Sequence, residues 1–206
     1  FYQLHSAPDA SDEIYRQLER LQASGKLRYI GVSLYSANNI RQVLADDRLD
    51  GFQVAFNLVD VQPYRQCREA IAKAGKGVLI RSSLKSGLLT GKYAPGVRFD
   101  PERDHRARDM TAGEIDRTLN WLESFRFLEQ TEGSLLHAAA RYPLAFDTTS
   151  SVLLGARNAE QASVNFGEIA ERPLSRESLE RIERVQRELG IGRVNPLRNL
   201  VSRLLH

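Results

Sequence analysis

Two hydrophobic rhythms alternate along the chain. Apolar runs of strand length at 1–5, 27–32, 52–57, 77–82 and 150–154 each lead into a stretch where apolar residues return every three or four positions, the spacing of one helix face. The first helix is predicted behind Ser11, with Asp12 and Glu13 against its positive end, Ile14, Leu18 and Leu21 as its apolar stripe and Gly25 as its left-handed stop. Further helices are predicted over 38–44 behind Ser36 and over 65–74 up to Gly75. A long loop then runs from the fourth strand to about Met110. Thr111-Ala112-Gly113-Glu114 reads as a capping box for a helix to Gln130, and a helix over 134–142 leads into the fifth strand. Helices over 159–168 and 175–189 follow, which leaves 191–206 unplaced.

Strands separated by helices of this length make right-handed βαβ units and a parallel sheet. Two architectures compete, a doubly wound open sheet and a (β/α)8 barrel. The doubly wound dinucleotide fold needs a Gly-x-Gly-x-x-Gly turn after an early strand, and none is present. Polar residues instead gather where strands end, at His5, Ser33, Asn57, Arg81 with Ser82, and 155–157, which is where a barrel places its chemistry. Five strands in 206 residues fall short of the eight strands and ~250 residues of a complete barrel. The chain also opens at Phe1 in the middle of a strand pattern. The expectation is therefore one α/β domain over 1–206, a (β/α)8 TIM barrel N-terminally truncated to about its last five βα units, with 175–206 as a C-terminal helix and tail.

Composition narrows the function classes. Apolar residues at 42% and charged residues at 27% are ordinary for a globular protein. A net charge of +3, with acids and bases interleaved on helical faces, gives no footprint for nucleic acid. Cys67 is the one cysteine, so an internal disulfide and a cysteine-based metal site are excluded, which fits a reducing, cytoplasmic setting. No apolar run is long enough to span a membrane. No metal constellation and no nucleophile beside a base is seen. His137, Trp121, Phe125 and Phe127 read as packing residues.

Five motifs in order carry a resemblance to a known family. They are Tyr-Gln-Leu-His at 2–5, Gly-Lys-Leu-Arg-Tyr-Ile-Gly-Val-Ser at 25–33 and Phe-Gln-Val-Ala-Phe-Asn at 52–57. Arg-Ser-Ser-Leu-Lys-Ser-Gly-Leu-Leu-Thr-Gly-Lys-Tyr follows at 81–93, then Gly-Ala-Arg-Asn-Ala-Glu-Gln at 155–161 with Asn165. Together they resemble the strand-end segments of the aldo-keto reductases, from the fourth strand to the eighth. The RSPL- and GARN-type branch is the most similar.

The resemblance implies a role for each matched residue. His5 is the catalytic candidate, an imidazole aimed at a substrate carbonyl oxygen where negative charge develops. Ser33 and Gln53 match the groups that hold a nicotinamide carboxamide, although Leu34 stands where the family commonly has Asn. Arg81 occupies the place of a side chain that stacks on the nicotinamide. Ser82, Leu84, Ser86 and Gly87 match a loop around the pyrophosphate, with Ser83 in place of the usual proline. Lys92 reads equally as a charge near the phosphates or as a surface lysine, and the glycine spacing before it is wrong for a Walker A loop. Gly155, Arg157, Gln161 and Asn165 match the adenosine end. Arg157 there favours NADP(H) over NAD(H), and Val164 replaces a frequent Glu. The basic run 105–108 reads either as a solvated loop or as one that folds over the cofactor.

The family's proton donor is a tyrosine tuned by a lysine and an aspartate. Tyr2, Tyr15 and Tyr29 do not stand in that motif. The expectation is an NADP(H)-dependent oxidoreductase interconverting a carbonyl (aldehyde, ketone or sugar) and an alcohol by hydride transfer, with the chain as given inactive for want of the Asp/Tyr/Lys part of the set. The alternative is a non-catalytic cofactor-binding remnant or partner subunit of the same fold. A small-molecule carbonyl or alcohol is the expected partner, with a homo-oligomer or a completing chain open. Nucleic acid and membrane are not expected partners.

Overall fold

The computed structural model of the chain describes residues 1–5, 11–167 and 172–193. Five strands, β1 (Tyr2–Leu4), β2 (Ile30–Leu34), β3 (Gly51–Ala55), β4 (Gly77–Arg81) and β5 (Ser151–Val152), lie side by side in chain order and all parallel. Helices α1 (Asp12–Ala23), α2 (Ala37–Leu44) and α3 (Tyr64–Ala74) make the first three crossovers. Between β4 and β5 the chain forms α4 (Arg106–Asp109), α5 (Ala112–Glu123), α6 (Phe127–Thr131) and α7 (Leu135–Arg141). After β5 come α8 (Ala159–Gly167) and α9 (Arg176–Glu188). Consecutive parallel strands with helical crossovers are the repeating unit of a (β/α)8-type fold.

Residues paired across a parallel ladder share a face. One face carries Leu4, Val32, Phe52 and Val78 in one row and Leu34, Val54, Ile80 and Val152 in the next. From β2 to β4 these side chains are buried, and one core joins them to Tyr15, Leu18, Ile40, Val43 and Ile71 of the helices. The opposite face is polar or bare. Gln3, Gly31, Gly51 and Gly77 form one row, Ser33, Gln53, Leu79 and Ser151 the next, and Ala55 with Arg81 stands at the C-terminal edge. A Cβ at Gly51 would lie 2.4 Å from the Gly77 carbonyl oxygen, so the strands approach too closely there for any side chain. One face is thus given to the core, while the other, with the C-terminal strand edge, is left for chemistry.

Several elements differ from the sequence expectation. β2 is displaced to Ile30–Leu34, because these five buried residues form the apolar run that pairs with both neighbours. In α1 the buried residues are Tyr15 and Leu18, whereas Ile14 is 42% and Leu21 37% exposed. The Ser11 hydroxyl makes no capping bond; its carbonyl accepts from Ile14 N and Tyr15 N instead. The helix predicted to reach Gln130 breaks after Glu123, and α7 yields to a 3-10 turn over Tyr142–Ala145, where Pro143 has no N–H to continue the helix. The capping box at Thr111, the Ser36 cap and the left-handed Gly25 and Gly75 are observed as expected. The predicted end of the fifth-strand helix at Glu168 and the tail over 194–206 lie outside the described residues.

Candidate functional site

β4 ends in an unusual turn. Ser82 (φ 57°), Lys85 (φ 45°) and Ser86 (φ 53°) all adopt left-handed backbone, followed by Gly87 at φ 85°. Left-handed residues with side chains cost on the order of 1 kcal/mol or more each and persist only where surrounding contacts impose them. Here Lys85 N and Gly87 N donate to the carbonyls of Ser82 and Leu84, both at 2.9 Å, and Thr90 Oγ1 donates to the Gly87 carbonyl at 2.7 Å. Backbone wound this way, with small side chains, makes a concavity suited to anions. Ser83 is 1% exposed, and its hydroxyl has no hydrogen-bond partner among the described residues.

The segment after β5 builds the facing wall. Asn158 Oδ1 accepts from Gln161 N at 2.8 Å, and Gln161 Oε1 accepts from Arg157 N at 3.0 Å. Buried Asn165 donates through Nδ2 to the Gly155 carbonyl at 2.9 Å. These bonds close the turn and leave the exposed Arg157 guanidinium outside them. His137, buried on α7, ties α7 to α8 through Nε2 and the Val164 carbonyl at 3.2 Å. A carbonyl can only accept, so this nitrogen carries the proton.

A third wall comes from the long loop. Arg106 is 6% exposed, its guanidinium 3.7 Å from the Phe99 ring centre and 4.9 Å from that of Tyr93. Its Nε donates to Asp104 Oδ1 at 2.9 Å, and Nη1 reaches the Ser86 carbonyl at 3.4 Å. Hydrogen bonding to Arg106 holds the Asp104 carboxyl well below the ordinary carboxylate range, and the same contact pushes the guanidinium further up. The pair is therefore ionised throughout the neutral range.

Together the walls enclose a cavity of about 920 Å³. On the β4 side it is lined by Ser82, Ser83, Leu84, Ser86, Gly87, Thr90, Lys92 and Tyr93, and on the β5 side by Gly155, Arg157, Gln161 and Asn165. Arg103, Asp104, His105 and Arg106 line it from the long loop, and Leu136, Leu153, Leu154 and Ala156 add an apolar part. Of the basic run, His105 and Arg106 line the cavity, Arg106 buried and His105 exposed, while Arg108 faces solvent. A smaller cavity of about 240 Å³ adjoins, lined by Leu136, Asn158, Glu160, Gln161, Val164 and Asn165.

The remaining predicted residues stand elsewhere. Ser33 and Gln53 are cross-strand partners on the polar sheet face, as two groups sharing one ligand would have to be. Arg81 lies at the edge of that face, with Nη2 donating to the Leu34 carbonyl at 3.2 Å and the guanidinium 4.6 Å over the Tyr35 ring centre. The Leu34 side chain turns into the core, so it offers nothing to a ligand in place of an asparagine. His5 is exposed, the first residue past β1, with β2 and β3 between it and β4.

Sequence reasoning passed over Tyr35, the Ser83 hydroxyl and the Asp104–Arg106 pair, and placed Asn57 at a strand end without giving it a role. Asp and Arg two apart, flanked by Tyr93 and Phe99, is a signal that could have marked the pair. Among the described residues there is no cluster of His, Cys, Asp and Glu that could hold a metal ion, and no helix long and apolar enough to cross a membrane.

A family model described as "Aldo/keto reductase family" matches residues 1–187. The chain is similar to L-glyceraldehyde 3-phosphate reductase of Escherichia coli (strain K12), 29% identical over 184 residues that cover 84% of this chain and 53% of that protein. It is also similar to pyridoxal 4-dehydrogenase of Microbacterium luteolum, 28% identical over 73% of this chain and 42% of that protein. Among solved structures, glycerol dehydrogenase AKR11B4 from Gluconobacter oxydans superposes with TM-score 0.77 at 24% identity, over 94% of this chain and 60% of that one. The holo form of aldo-keto reductase AKR11C1 from Bacillus halodurans does so with TM-score 0.70 at 24% identity, over 89% and 59%. These two likenesses concern the fold. The chain spans about half the length of the L-glyceraldehyde 3-phosphate reductase it matches.

Proposed function

The chain belongs to the aldo/keto reductase family, and on that premise we propose that the protein is an NADP(H)-dependent oxidoreductase interconverting a small polar carbonyl compound and its alcohol. The observation that carries this reading is the cavity between the β4 turn and the β5–α8 turn. Its volume of about 920 Å³ is at the upper end of the roughly 300–1,000 Å³ usual for small-molecule sites. Its walls combine left-handed backbone, a buried hydroxyl without a partner among the described residues, and four cations, Lys92, Arg103, Arg106 and Arg157. That donor set fits a dinucleotide with several phosphates. Residues 82–87 would face the pyrophosphate, Arg157 the 2′-phosphate, and the smaller cavity beside Leu136 and Val164 the base. Ser33, Gln53 and Arg81 would hold the nicotinamide end over the polar sheet face.

The cofactor, when bound, supplies or accepts the hydride. His5 would donate a hydrogen bond to the carbonyl oxygen as charge develops there. Tyr15 is no substitute for the family's proton donor: it is buried under the Arg48 guanidinium at 4.0 Å, and burial pushes its hydroxyl above the usual tyrosine range. The 206 residues by themselves are therefore proposed to bind the cofactor without turning over a carbonyl. The names of the curated relatives point to small hydroxylated, phosphorylated or heteroaromatic carbonyl compounds as the substrate class.

Titration of the purified chain with NADPH and with NADH, followed by reduced-nicotinamide fluorescence, tests the reading. Saturable binding is expected, tighter for NADPH. Arg157→Ala should remove most of that preference, a loss of about tenfold or more for one charge-assisted phosphate contact. Equal affinity for the two cofactors in the unaltered chain would sink the NADP(H) assignment, and no binding of either would sink the whole reading.

A further inference from the structure

We propose that Asn57 is a positioning residue for the cofactor loop 82–87, an inference that rests on the reading of the cavity just given. Asn57 follows β3 by two residues, is fully buried, and uses both ends of its amide. Its Oδ1 accepts from Val59 N at 3.0 Å and from Asp60 N at 2.8 Å, which winds residues 57–60 into a turn that its own N–H closes on the Asp60 carbonyl at 3.1 Å. Its Nδ2 donates across to the Ser82 carbonyl at 2.9 Å. Ser82 is the first left-handed residue of the cofactor loop, so this bond fixes the carbonyl at the point where the loop departs from β4. A second strut joins the same two segments, Lys85 Nζ to Asp60 Oδ2 at 2.5 Å.

The turn is itself anchored from behind. Gln186 of α9, fully buried, donates through Nε2 to the Leu58 carbonyl at 2.7 Å, and Gln62 Nε2 donates to the Gly192 carbonyl at 3.1 Å. A Cβ at Gly192 would lie 2.4 Å from Val61 Cγ2, so the backbone presses on the turn there. Asn57 thereby transmits a rigid post to a strained loop. The task needs an acceptor for two N–H groups and a donor both for the Ser82 carbonyl and, at 3.3 Å, for Asp60 Oδ2, which of the residues of this size only an amide supplies. Displacing the loop by a fraction of an ångström moves every donor that faces the phosphates.

The test uses the full chain and two probes, NADPH and adenosine 2′-monophosphate. The second has no pyrophosphate, so it depends on the 155–165 wall and not on the loop. Asn57→Asp keeps the acceptors and loses the donor when measured at about pH 8, where a carboxyl is ionised. It is expected to weaken NADPH binding by about 10- to 100-fold while changing the monophosphate by less than about twofold. Lys85→Met should shift NADPH the same way by a smaller factor, which keeps the idea testable if Asn57→Asp does not fold. Equal weakening of both probes would mean that Asn57 serves general stability only, and unchanged NADPH affinity would mean that the loop needs no brace; either overturns the inference. An unaltered chain that binds neither probe overturns the cavity reading and this inference with it.

Discussion

The Arg106 guanidinium is held on three sides, by the Phe99 and Tyr93 rings and by the Asp104 carboxylate, and its remaining contact is the Ser86 carbonyl of the turn after β4. One side chain thus fastens residues 93–106 to residues 82–87. Asp104→Asn should destabilise the fold by about 1–3 kcal/mol, the usual range for a charged hydrogen bond left half-made, and should weaken NADPH binding, read by thermal unfolding and by titration. The pH dependence has a definite sign. Asp104 titrates lower in the folded chain than in the unfolded one, chiefly through its hydrogen bond to Arg106, so its stabilisation is complete above the unfolded value of about 3.9 and fades as pH falls below it. The Asn variant should lose this part of the acid dependence, and identical acid curves for the two proteins would rule it out. Little of this was legible in the sequence. His105 to Arg108 read as a basic loop with two possible fates, because a guanidinium buried between rings and one in solvent have the same spacing. The placement of Ser33 beside Gln53 was legible, because each stands in a motif that forms a strand and the two strands pair in register.

At the scale of elements, the break after α5 shows where periodicity misleads. Leu119, Leu122, Phe125 and Leu128 are all fully buried and recur every third residue. A helix of 3.6 residues per turn carries such a stripe off its face, whereas a 3-10 turn keeps it. The backbone follows the stripe: Ser124, Phe125, Arg126, Leu128 and Glu129 each donate to the carbonyl three residues earlier. A single helix over the whole stretch was the natural reading, since apolar recurrence at three and at three-or-four looks alike in a short window. The start of α5 was read correctly, because a capping box is a local device. Thr111 Oγ1 accepts from Glu114 N at 3.2 Å, and Glu114 Oε2 accepts from Thr111 N at 2.9 Å. Thr111→Ala should cost about 1 kcal/mol, which for a domain near this size is about 2–4 °C in melting temperature. Cofactor affinity should be unchanged, since Thr111 is not on the cavity wall; a loss of affinity without a loss of stability would contradict that division.

The whole molecule shows why charge counting failed to point at a ligand. The net charge is only +3 because acids and bases alternate along the helices. Folding sorts them, and Lys92, Arg103, Arg106 and Arg157 reach the cavity wall against Asp104 alone. These cations come from three stretches of chain, the β4 turn, the long loop and the β5–α8 turn, so a polyanion bound among them stabilises contacts between stretches and not merely within one. Binding to the folded form alone raises stability by about 2.7 kcal/mol when NADPH is present at about 100 times its Kd. For a domain near this size that is a rise of about 5–10 °C in melting temperature. Because the wall is cationic, the rise should shrink as salt is raised from about 0.1 to 1 M, over which the screening length falls from about 10 to 3 Å. NADH, with one phosphate fewer, should give a smaller rise and a shallower salt dependence. Scanning calorimetry with each cofactor at both salt concentrations decides the matter: equal shifts that ignore salt would mean that the sorted charges do not face the ligand.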